Sequence, residues 1–184
     1  MKKYKVIALF GKSGAGKDTI QKWIVSNIPD INSIISCTTR PKRDYEEEGK
    51  DYFFLTNEEF AEKVLNGSML EATEFRKWFY GTPIETLSQE KINIGVFNPA
   101  GVSCILEDSR LEVYPIYVKA SDKTRLLRSL NRENNPDCEE ICRRFFTDKD
   151  DFQEIKFNYF TFINEEENID FNKLEKIINN FDQK

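Results

Sequence analysis

The chain has 184 residues, of which 39% are hydrophobic and 32% are charged, and its formal net charge is −5. This length suits one compact domain with a small insertion rather than two full domains. The acidic balance argues against broad binding to nucleic acids or anionic membranes, and no apolar run approaches the ~20 residues of a membrane span, so we expect neither nucleic acid nor membrane as a partner.

The first predicted elements are a strand, a helix and a second strand. Residues 4–10 form an apolar run that is typical of a strand buried on both faces. With the lysines before it, this run imitates a signal peptide, but only five uninterrupted apolar residues precede Gly11, fewer than the ~7–15 of a secretory core. Helical spacing follows from Ile20, and Pro29 ends the helix. A second buried strand is predicted at residues 31–36.

The rest of the chain continues in the same alternating manner. A polar, aperiodic loop leads to a short strand at residues 52–55, and Thr56 with Glu59 forms a capping box at the start of the next helix. Helical periodicity near the C-terminus, from Phe171 to Phe181, predicts a closing amphipathic helix. Further strands are predicted at residues 69–75, 92–97, 113–119 and 159–163.

Strands that alternate with helices imply an α/β fold with a mostly parallel sheet flanked by helices. Two segments break this rhythm. Residues 36–82 have the pattern of a short β-rich insertion, and residues 121–152 contain two charged helices. Both segments are candidates for mobile pieces that cover a substrate.

Four cysteines and no histidine occur in the chain, so a zinc site would need cysteines alone. Cys138 and Cys142 lie four residues apart. Because Ile141, Phe145 and Phe146 continue the same helical stripe, we interpret these two cysteines as small core residues of a helix. The other two cysteines have no paired spacing, and we expect free thiols in a reducing cytoplasm.

A glycine-rich loop follows the first strand. Gly11, Gly14 and Gly16 let the backbone curl so that successive N–H groups point at an anion, the helix N-terminus adds its dipole, and Lys17 adds a full charge. The spacing G-x-x-x-x-G-K between a buried strand and a helix predicts a site for nucleotide phosphates. It does not identify the reaction.

A second candidate phosphate site follows the second strand. Arg40 and Arg43 supply two guanidinium groups, Ser36 a hydroxyl and Tyr52 a phenol, which together suit a phosphate dianion because the arginine fork binds two oxygens at once. Taken alone, a loop of this composition is more often a solvated surface.

These residues resemble the guanylate kinase family. The matching patterns are Ser36-x-Thr38-Thr39-Arg40-x-x-Arg43-x-x-Glu46-x-x-Gly49-Lys50-Asp51-Tyr52, then GSMLEATEFRKWFYGTP at residues 67–83, and FNYFTFINEE at residues 157–166. The resemblance covers about residues 4–180. It implies a P-loop NTPase-type fold with a core of residues 1–35, 83–120 and 153–184, a GMP-binding insertion of residues 36–82, and a helical lid of residues 121–152.

The resemblance implies transfer of a phosphoryl group from ATP to GMP, and also to dGMP, with Mg²⁺. The nucleophile is then the phosphate of GMP, already an anion near neutral pH, so the reaction needs no general base and the lack of histidine is no obstacle. By resemblance the GMP-binding residues are Ser36, Arg40, Arg43, Tyr52, Glu71, Tyr80, Thr82 and Asn98. The ATP-binding residues are Gly11, Lys12, Ser13, Gly14, Ala15, Gly16, Lys17, Asp18, Thr19, Arg128, Arg132 and Asn164. The catalytic residues, which neutralise charge, are Lys17, Arg40, Arg132 and Arg144.

Glu71 is the residue that we expect to recognise the base. Guanine offers two adjacent donors, N1–H and the 2-amino group, that one carboxylate accepts together, whereas adenine has no such pair. A buried carboxylate left unpaired disfavours the wrong base by ~10⁴ or more. Thr82 stands where the family has Ser or Thr and is expected to donate a hydrogen bond to guanine O6.

The lid segment carries the remaining arginines. Arg128 and Arg132 are four residues apart and are therefore expected on one helical face, with Arg143 and Arg144 on the next helix. Family arginines at similar positions clamp the adenine and the phosphates. The family often has a further arginine where this chain has Leu130, and the loop between the helices here is one residue longer.

Three positions depart from the family pattern. Asp18 follows Gly16 and Lys17 where such loops carry Ser or Thr, and the family's Asp-x-Asp pair becomes Val96 and Asn98. A carboxylate ~4 Å from a phosphate charge is repelled by about 4 kcal/mol at an effective dielectric of 20, and the helix dipole returns only ~0.3–1 kcal/mol. Our hypothesis is that Asp18 serves Mg²⁺ in place of the acid that Val96 has replaced, while Asn98 still binds guanine as an amide.

Two other functions stay open at this stage. A broader (deoxy)nucleoside monophosphate kinase of the same fold suits Asn98 and Asp18, but Glu71 argues against it. A catalytically silent, phosphopeptide-binding module is disfavoured by the intact Gly16-Lys17 and by the lack of a companion domain. We expect a cytoplasmic monomer or homodimer.

Overall fold

The computed structural model describes residues 2–43, 46–75, 77–132, 134–165 and 169–182. The helices are α1 Lys17–Asn27, α2 Asn57–Leu65, α3 Pro99–Glu107, α4 Asp122–Leu130, α5 Cys138–Asp151 and α6 Phe171–Asp182. The strands are β1 Tyr4–Phe10, β2 Ile31–Ser33, β3 Cys37–Thr38, β4 Phe53–Phe54, β5 Met69–Phe75, β6 Trp78–Pro83, β7 Ile92–Phe97, β8 Leu111–Lys119 and β9 Phe160–Ile163. Among these described residues, no helix combines the length and the apolar composition of a membrane span.

The strands form two sheets. The larger sheet has the order β2-β7-β1-β8-β9, in which β2 pairs with β7 and β8 with β9 in parallel. The smaller sheet has the order β4-β3-β6-β5 and combines the antiparallel hairpin β5–β6 with the antiparallel pair β3–β6 and the short parallel pair β3–β4. The predicted α/β fold, with its parallel sheet and a β-rich segment, is confirmed.

Two compact units can be distinguished within the chain. Unit 1 consists of Met1–Ile7, Asp30–Gly95 and Ala100–Val113, and unit 2 of Ala8–Pro29, Val96–Pro99 and Tyr114–Lys184. Each unit has its own buried apolar residues, as expected for strands that are covered on both faces. In unit 1 these include Val6, Ile7, Ile34, Ile94, Val102 and Ile105; in unit 2 they include Leu9, Phe10, Ile20, Ile24, Ile116, Val118, Phe162, Leu174 and Ile178.

Local signals fix several helix ends where the sequence predicted them. The Thr56 hydroxyl accepts a hydrogen bond from the Glu59 N–H and the Glu59 carboxylate accepts one from the Thr56 N–H, so the predicted capping box is present. Helix α1 ends at Asn27, two residues before Pro29, because the ring of proline does not fit inside a helix. The closing helix α6 begins at Phe171, as predicted.

The second predicted strand is wrong in its length. We expected residues 31–36, but β2 ends at Ser33. The N–H of Ile34 still bonds to the carbonyl of Ile94 (2.8 Å), after which the chain leaves for the smaller sheet at Cys37. The strand predicted at residues 52–55 is likewise reduced to a two-residue pairing with β3. Short strands that end by changing sheets carry no marker in a local apolar pattern.

The interpretation of Cys138 and Cys142 as core residues is wrong. Both lie on α5, as predicted, but both are exposed and carry free thiols. Phe146, which we placed on the same buried stripe, is 74% exposed. The residues that helix α5 buries are Ile141 and Asp148. The buried face therefore includes an ion pair, between Asp148 and Arg125, as well as an apolar side chain.

Candidate active site

The predicted phosphate-binding loop, residues 11–17 and called the phosphate loop below, lies in unit 2 between β1 and α1. Gly14 and Gly16 have φ angles of 76° and 86°, in the left-handed region where a side chain is strained. Close packing is a second reason for glycine at these two positions. A Cβ on Gly14 would lie 2.5 Å from the carbonyl oxygen of Arg125, and one on Gly16 would lie 2.4 Å from the side-chain nitrogen of Asn164.

The Lys17 ammonium folds back over this loop. Its Nζ donates to the carbonyl oxygens of Gly11 (2.7 Å) and Lys12 (3.3 Å). Burial lowers the pKa of Lys17, and the negative charges of Asp18 and Asp148 act in the opposite direction. The ammonium is therefore held in the loop by carbonyl groups that a bound phosphate can replace as acceptors.

Asn164 and Arg128 meet the loop at Ala15. The Asn164 side-chain N–H donates to the Ala15 carbonyl (2.7 Å), and Nη1 of Arg128 donates to the main-chain carbonyl of Asn164 (3.1 Å). Asn164 is 2% exposed, and its Oδ1 atom is buried without a hydrogen-bond partner among the described residues. A buried acceptor of this kind suits a donor on a ligand, such as an amino group.

One prediction about the lid arginines is wrong. Helix α4 ends at Leu130, so Arg132 lies beyond the helix and does not share a helical face with Arg128. The next residue, Asn131, caps the helix, and the chain turns there.

On α5, Nε of Arg144 donates to Glu140 (2.8 Å), and the positive charge of Arg144 contributes to lowering the pKa of Lys17.

Two residues of unit 2 were missed by sequence reasoning. Arg125 is 2% exposed and Asp148 is 6% exposed, and both bond to the main chain of Ser13 in the phosphate loop. They come from α4 and α5 and lie 23 positions apart in the sequence. The alternation of charged and apolar residues gave both the appearance of a solvated helix face, so no local signal marked them.

In unit 1, Glu46 organises the two arginines of the predicted second phosphate site. Its carboxylate accepts two hydrogen bonds from the Arg40 guanidinium (2.7 and 2.9 Å) and one from the Arg43 N–H (2.9 Å). Burial disfavours both charges, but these bonds outweigh it, so the pKa of Glu46 is lowered and that of Arg40 is raised. The motif contained Glu46, yet we assigned it no role. The three-residue spacing from Arg40 to Arg43 to Glu46 was the available signal.

Aromatic rings complete this cluster. The Arg40 guanidinium lies 5.5 Å from the centre of the Tyr52 ring and 5.7 Å from that of Phe54. The Tyr52 and Tyr80 rings meet edge to face at 6.2 Å. Ser36 is half-buried just before β3, and its carbonyl accepts a bond from the Phe53 N–H (2.9 Å). Unit 1 therefore brings Arg40, Tyr52 and Tyr80 together.

Glu71 and Thr82 are paired across the hairpin of β5 and β6. The Thr82 hydroxyl donates to Oε1 of Glu71 at 2.8 Å, and Thr82 and Glu71 are 0% and 7% exposed, respectively. Burial raises the pKa of Glu71 to about 7, although the bond from Thr82 opposes the rise. A buried carboxylate that is costly to ionise is suited to a ligand that supplies hydrogen-bond donors in addition to the Thr82 hydroxyl.

This raised pKa predicts that Glu71→Gln stabilises the ligand-free protein at pH 8. Between pH 4.5, the ordinary pKa, and pH 7, the folded state binds more protons at Glu71 than the unfolded state, so stability falls as the pH rises. Glutamine cannot ionise and avoids this loss of roughly 3 kcal/mol, since the pKa rises from 4.5 to about 7 and each tenfold change in proton affinity is worth about 1.4 kcal/mol. Melting temperatures at pH 8 and pH 5 test the prediction. Glu74→Gln, at an exposed position of the same strand, is the control, and an equal gain at both pH values would contradict it.

The residues around the proposed metal site are placed as follows. Asp18 is exposed in the first turn of α1, and Asn98 is half-buried directly after β7. In the part of the chain that the structure describes, no three His, Cys, Asp or Glu side chains are arranged to hold a metal ion. Mg²⁺ in kinases is commonly held by one or two carboxylates together with substrate phosphates, and Asp18 beside the loop fits that smaller requirement.

Comparison with protein families shows to which family this chain belongs. The sequence model described as guanylate kinase matches residues 3–181. The chain belongs to the guanylate kinase family. The smaller sheet, the phosphate loop and the two helices α4 and α5 are therefore parts of a guanylate kinase-like chain.

Individual relatives agree with this membership. The chain is similar to the guanylate kinase of Helicobacter hepaticus, with 30% identity over 164 residues, which is 86% of this chain and 82% of that protein. It is 42% identical to the guanylate kinase of Thermotoga maritima over 93 residues and 46% identical to that of Malacoplasma penetrans over 88 residues. Each of the latter two matches spans 44% of the relative and about half of this chain.

A solved structure supports the fold. The crystal structure of guanylate kinase from Anaplasma phagocytophilum superposes with a TM-score of 0.70 and 20% sequence identity, and the superposition covers 97% of this chain and 86% of the other. At that identity the likeness concerns the fold alone.

Proposed function

We propose that this protein transfers the terminal phosphoryl group of ATP to GMP and dGMP. The observation that carries the proposal is the buried pair Glu71–Thr82, in which the carboxylate has a raised pKa and, among the described residues, accepts a hydrogen bond from the Thr82 hydroxyl. Guanine presents two adjacent N–H donors that one carboxylate accepts, and these donors would supply what Glu71 lacks. In this structure the Thr82 hydroxyl donates to Glu71, so it orients the carboxylate and would have to rotate to donate to guanine O6.

The arginine cluster of unit 1 is the proposed site for the phosphate of GMP. Ser36, Arg40, Arg43, Tyr52 and Tyr80 provide donors and positive charge. The two hydrogen bonds that the Arg40 fork donates to Glu46 hold it in a defined orientation. A preorganised fork loses less entropy when it binds a phosphate, because its side chain is already ordered.

Glu46→Gln is expected to raise the KM for GMP about tenfold, with a smaller effect on the KM for ATP, since misplacing a binding group by about 1 Å has effects of up to about 100-fold. A neutral amide cannot accept the bonds of both arginines with the same strength. The control is Glu47→Gln at the adjacent residue, whose carboxylate is 67% exposed and pairs with Lys50. An unchanged or lower KM for GMP in Glu46→Gln would show that Glu46 competes with the phosphate instead of preparing its site.

The phosphate loop of unit 2 is the proposed site for ATP. The loop N–H groups and Lys17 bind the phosphates, Arg128 and Asn164 bind on the adenine side, and the unpaired Oδ1 of Asn164 accepts from the ligand. Arg132 and Arg144 neutralise the charge of the transferred group. Because the attacking oxygen belongs to an anionic phosphate, these residues need to orient and neutralise, and none of them has to remove a proton.

Mg²⁺ is the proposed cofactor, and Asp18 supplies, directly or through water, the carboxylate that the family's acid at the position of Val96 would provide. When bound, the ion neutralises phosphate charge. Asp18→Ser is expected to raise the Mg²⁺ concentration needed for half-maximal turnover by about tenfold, the size of a change of about 1.4 kcal/mol. Magnesium titrations at saturating ATP and GMP test this, and the control is Glu139→Gln, at an exposed position in the first turn of α5. An unchanged magnesium dependence would leave Asp18 as an outward-facing acid of the first helical turn.

The experiment that tests the function is ADP release from Mg-ATP with a panel of GMP, dGMP, AMP, UMP, CMP, dCMP and dTMP. Turnover confined to GMP and dGMP is the expected result. Turnover with several bases would indicate a broader monophosphate kinase, and a folded protein that binds GMP without turning it over would indicate a binding module. A cytoplasmic location, and a monomer or homodimer as the working species, complete the proposal; free thiols suit a reducing compartment.

A further inference from the structure

Two buried side chains of opposite charge hold one residue of the phosphate loop. The Asp148 carboxylate accepts a hydrogen bond from the Ser13 N–H (2.8 Å), and its other oxygen lies 3.5 Å from the Ser13 hydroxyl. Nε of Arg125 donates to the Ser13 carbonyl (2.8 Å), and Nη2 of Arg125 donates to Asp148. The three residues therefore form a closed ring of hydrogen bonds around the main chain of Ser13, which we call the Ser13 clamp.

The two charged side chains of the clamp are buried and therefore depend on their hydrogen bonds. Arg125 and Asp148 are almost completely buried, and charges in such surroundings are stable only when they are paired and hydrogen-bonded. The Arg125 guanidinium also lies 4.3 Å from the centre of the Phe145 ring, and its Nη1 donates to Asp122 (2.6 Å), whose side chain is 81% exposed. Arg125 is thus fixed on several sides, and Asp148 links its guanidinium to the Ser13 N–H of the loop.

The clamp acts at the point where the loop begins to curl. Gly14, the next residue, has a left-handed φ of 76°, and a Cβ there would lie 2.5 Å from the carbonyl oxygen of Arg125. An anion-binding loop works because its successive N–H groups converge on one point. The clamp fixes the main-chain N–H and carbonyl of Ser13. It therefore sets the direction in which the following N–H groups point.

We propose that Arg125 and Asp148 are positioning residues, which hold the phosphate loop in the curled conformation that binds the phosphates of ATP. The inference rests on the proposed function in taking ATP as the ligand of this loop. Neither residue reacts: Asp148 directs the Ser13 N–H away from the ligand, and Arg125 holds the Ser13 carbonyl and neutralises Asp148.

The sign of the effect separates positioning from simple electrostatics. The Asp148 charge reaches the loop, since it partly opposes the lowering of the pKa of Lys17 by burial. By Coulomb's law alone, removing a negative charge near a phosphate site tightens the binding of ATP. Positioning predicts the opposite, because the loop N–H groups lose their alignment.

The test is a titration of the whole protein with Mg-ATP and, separately, with GMP. In Asp148→Asn we expect the Kd for ATP to rise about tenfold, within the range by which misplaced groups weaken function, while the Kd for GMP changes less than about twofold. Asp122→Asn is the matched control: it removes the exposed carboxylate from the same arginine and leaves the bonds to Ser13 in place, so both Kd values should stay within about twofold of the unsubstituted protein.

A second variant keeps the test valid if Asp148→Asn does not fold. Arg125→Met combined with Asp148→Ala removes the pair without changing the net charge, and replacing a buried ion pair with apolar residues is often neutral for stability. We expect this variant to melt within a few degrees of the unsubstituted protein and to bind ATP about tenfold more weakly.

The outcomes distinguish the clamp from the proposed function. A loss of ATP affinity in the folded variants supports the clamp whether or not GMP is phosphorylated. Unchanged or tighter ATP binding in the double variant, or an equal loss in Asp122→Asn, overturns it. An unsubstituted protein that binds ATP but does not phosphorylate GMP contradicts only the proposed function, and one that does not bind ATP contradicts both.

Discussion

Replacing Glu71 with glutamine should lower kcat/KM for GMP by about 10³- to 10⁴-fold, the range that separates a matched base from an unmatched one in a site built on buried hydrogen bonds. The amide oxygen can still accept one N–H of guanine. The amide nitrogen, however, places a donor opposite the second guanine donor, and neither group then has a partner. The buried surroundings of Glu71 make that mismatch costly, because little of its carboxylate is exposed to water that could satisfy the unpaired groups.

Inosine monophosphate provides the internal comparison for this prediction. It keeps N1–H and lacks the 2-amino group, so the unsubstituted enzyme should prefer GMP to inosine monophosphate, and the glutamine variant should lose that preference. Glu74→Gln, at an exposed position on the same strand, should leave both rates unchanged. Equal losses with both substrates in Glu71→Gln would mean that Glu71 supports the hairpin and does not recognise the base.

Replacing Lys17 with methionine should lower kcat/KM for ATP by about 10³-fold, since removing one preorganised charge or donor at a reacting group costs about 10²–10³ and a transferred phosphoryl group depends on such charges. Methionine keeps the apolar part of the side chain and loses the ammonium. In this structure the ammonium bonds to the carbonyls of Gly11 and Lys12, and phosphate oxygens would be stronger partners because they are charged.

The control for this prediction is Lys22→Met, which removes a positive charge from an exposed position on the same helix. Lys17→Arg should rescue little activity, because a planar fork cannot replace a compact ammonium inside the curled loop. The KM for GMP should stay within about twofold in every variant of this series, since Lys17 belongs to unit 2 and the proposed GMP ligands belong, apart from Asn98, to unit 1. A large rise in the KM for GMP in Lys17→Met would contradict the assignment of Lys17 to the ATP site alone.

Features that depend on neighbours in the chain could be predicted from the sequence. The phosphate loop needs a buried strand, glycines at left-handed positions and a helix N-terminus, all within residues 4–27, so its pattern is complete in one segment. The capping box at Thr56 and the end of α1 before Pro29 are equally local. The pairing of Glu71 with Thr82 belongs to a hairpin, in which the register follows from the turn.

Features that depend on distant contacts were missed or wrong. Arg132 was placed on a helical face because four-residue spacing is compatible with a helix, but the helix ends at Leu130. Cys142 and Phe146 were placed in the core because their spacing matched an apolar stripe, and both are exposed. Periodicity indicates which residues share a face, but not whether that face is covered.

The sequence by itself determined the α/β class and predicts the phosphate loop and a second anion site, because each of these is encoded by spacing within a short segment. Only the tertiary structure revealed the Ser13 clamp, in which Arg125 and Asp148 are buried together. A charged side chain has the same appearance in a sequence whether it is solvated or paired. Its burial is decided by the partner that folding brings to it, since an unpaired charge would not remain inside the protein.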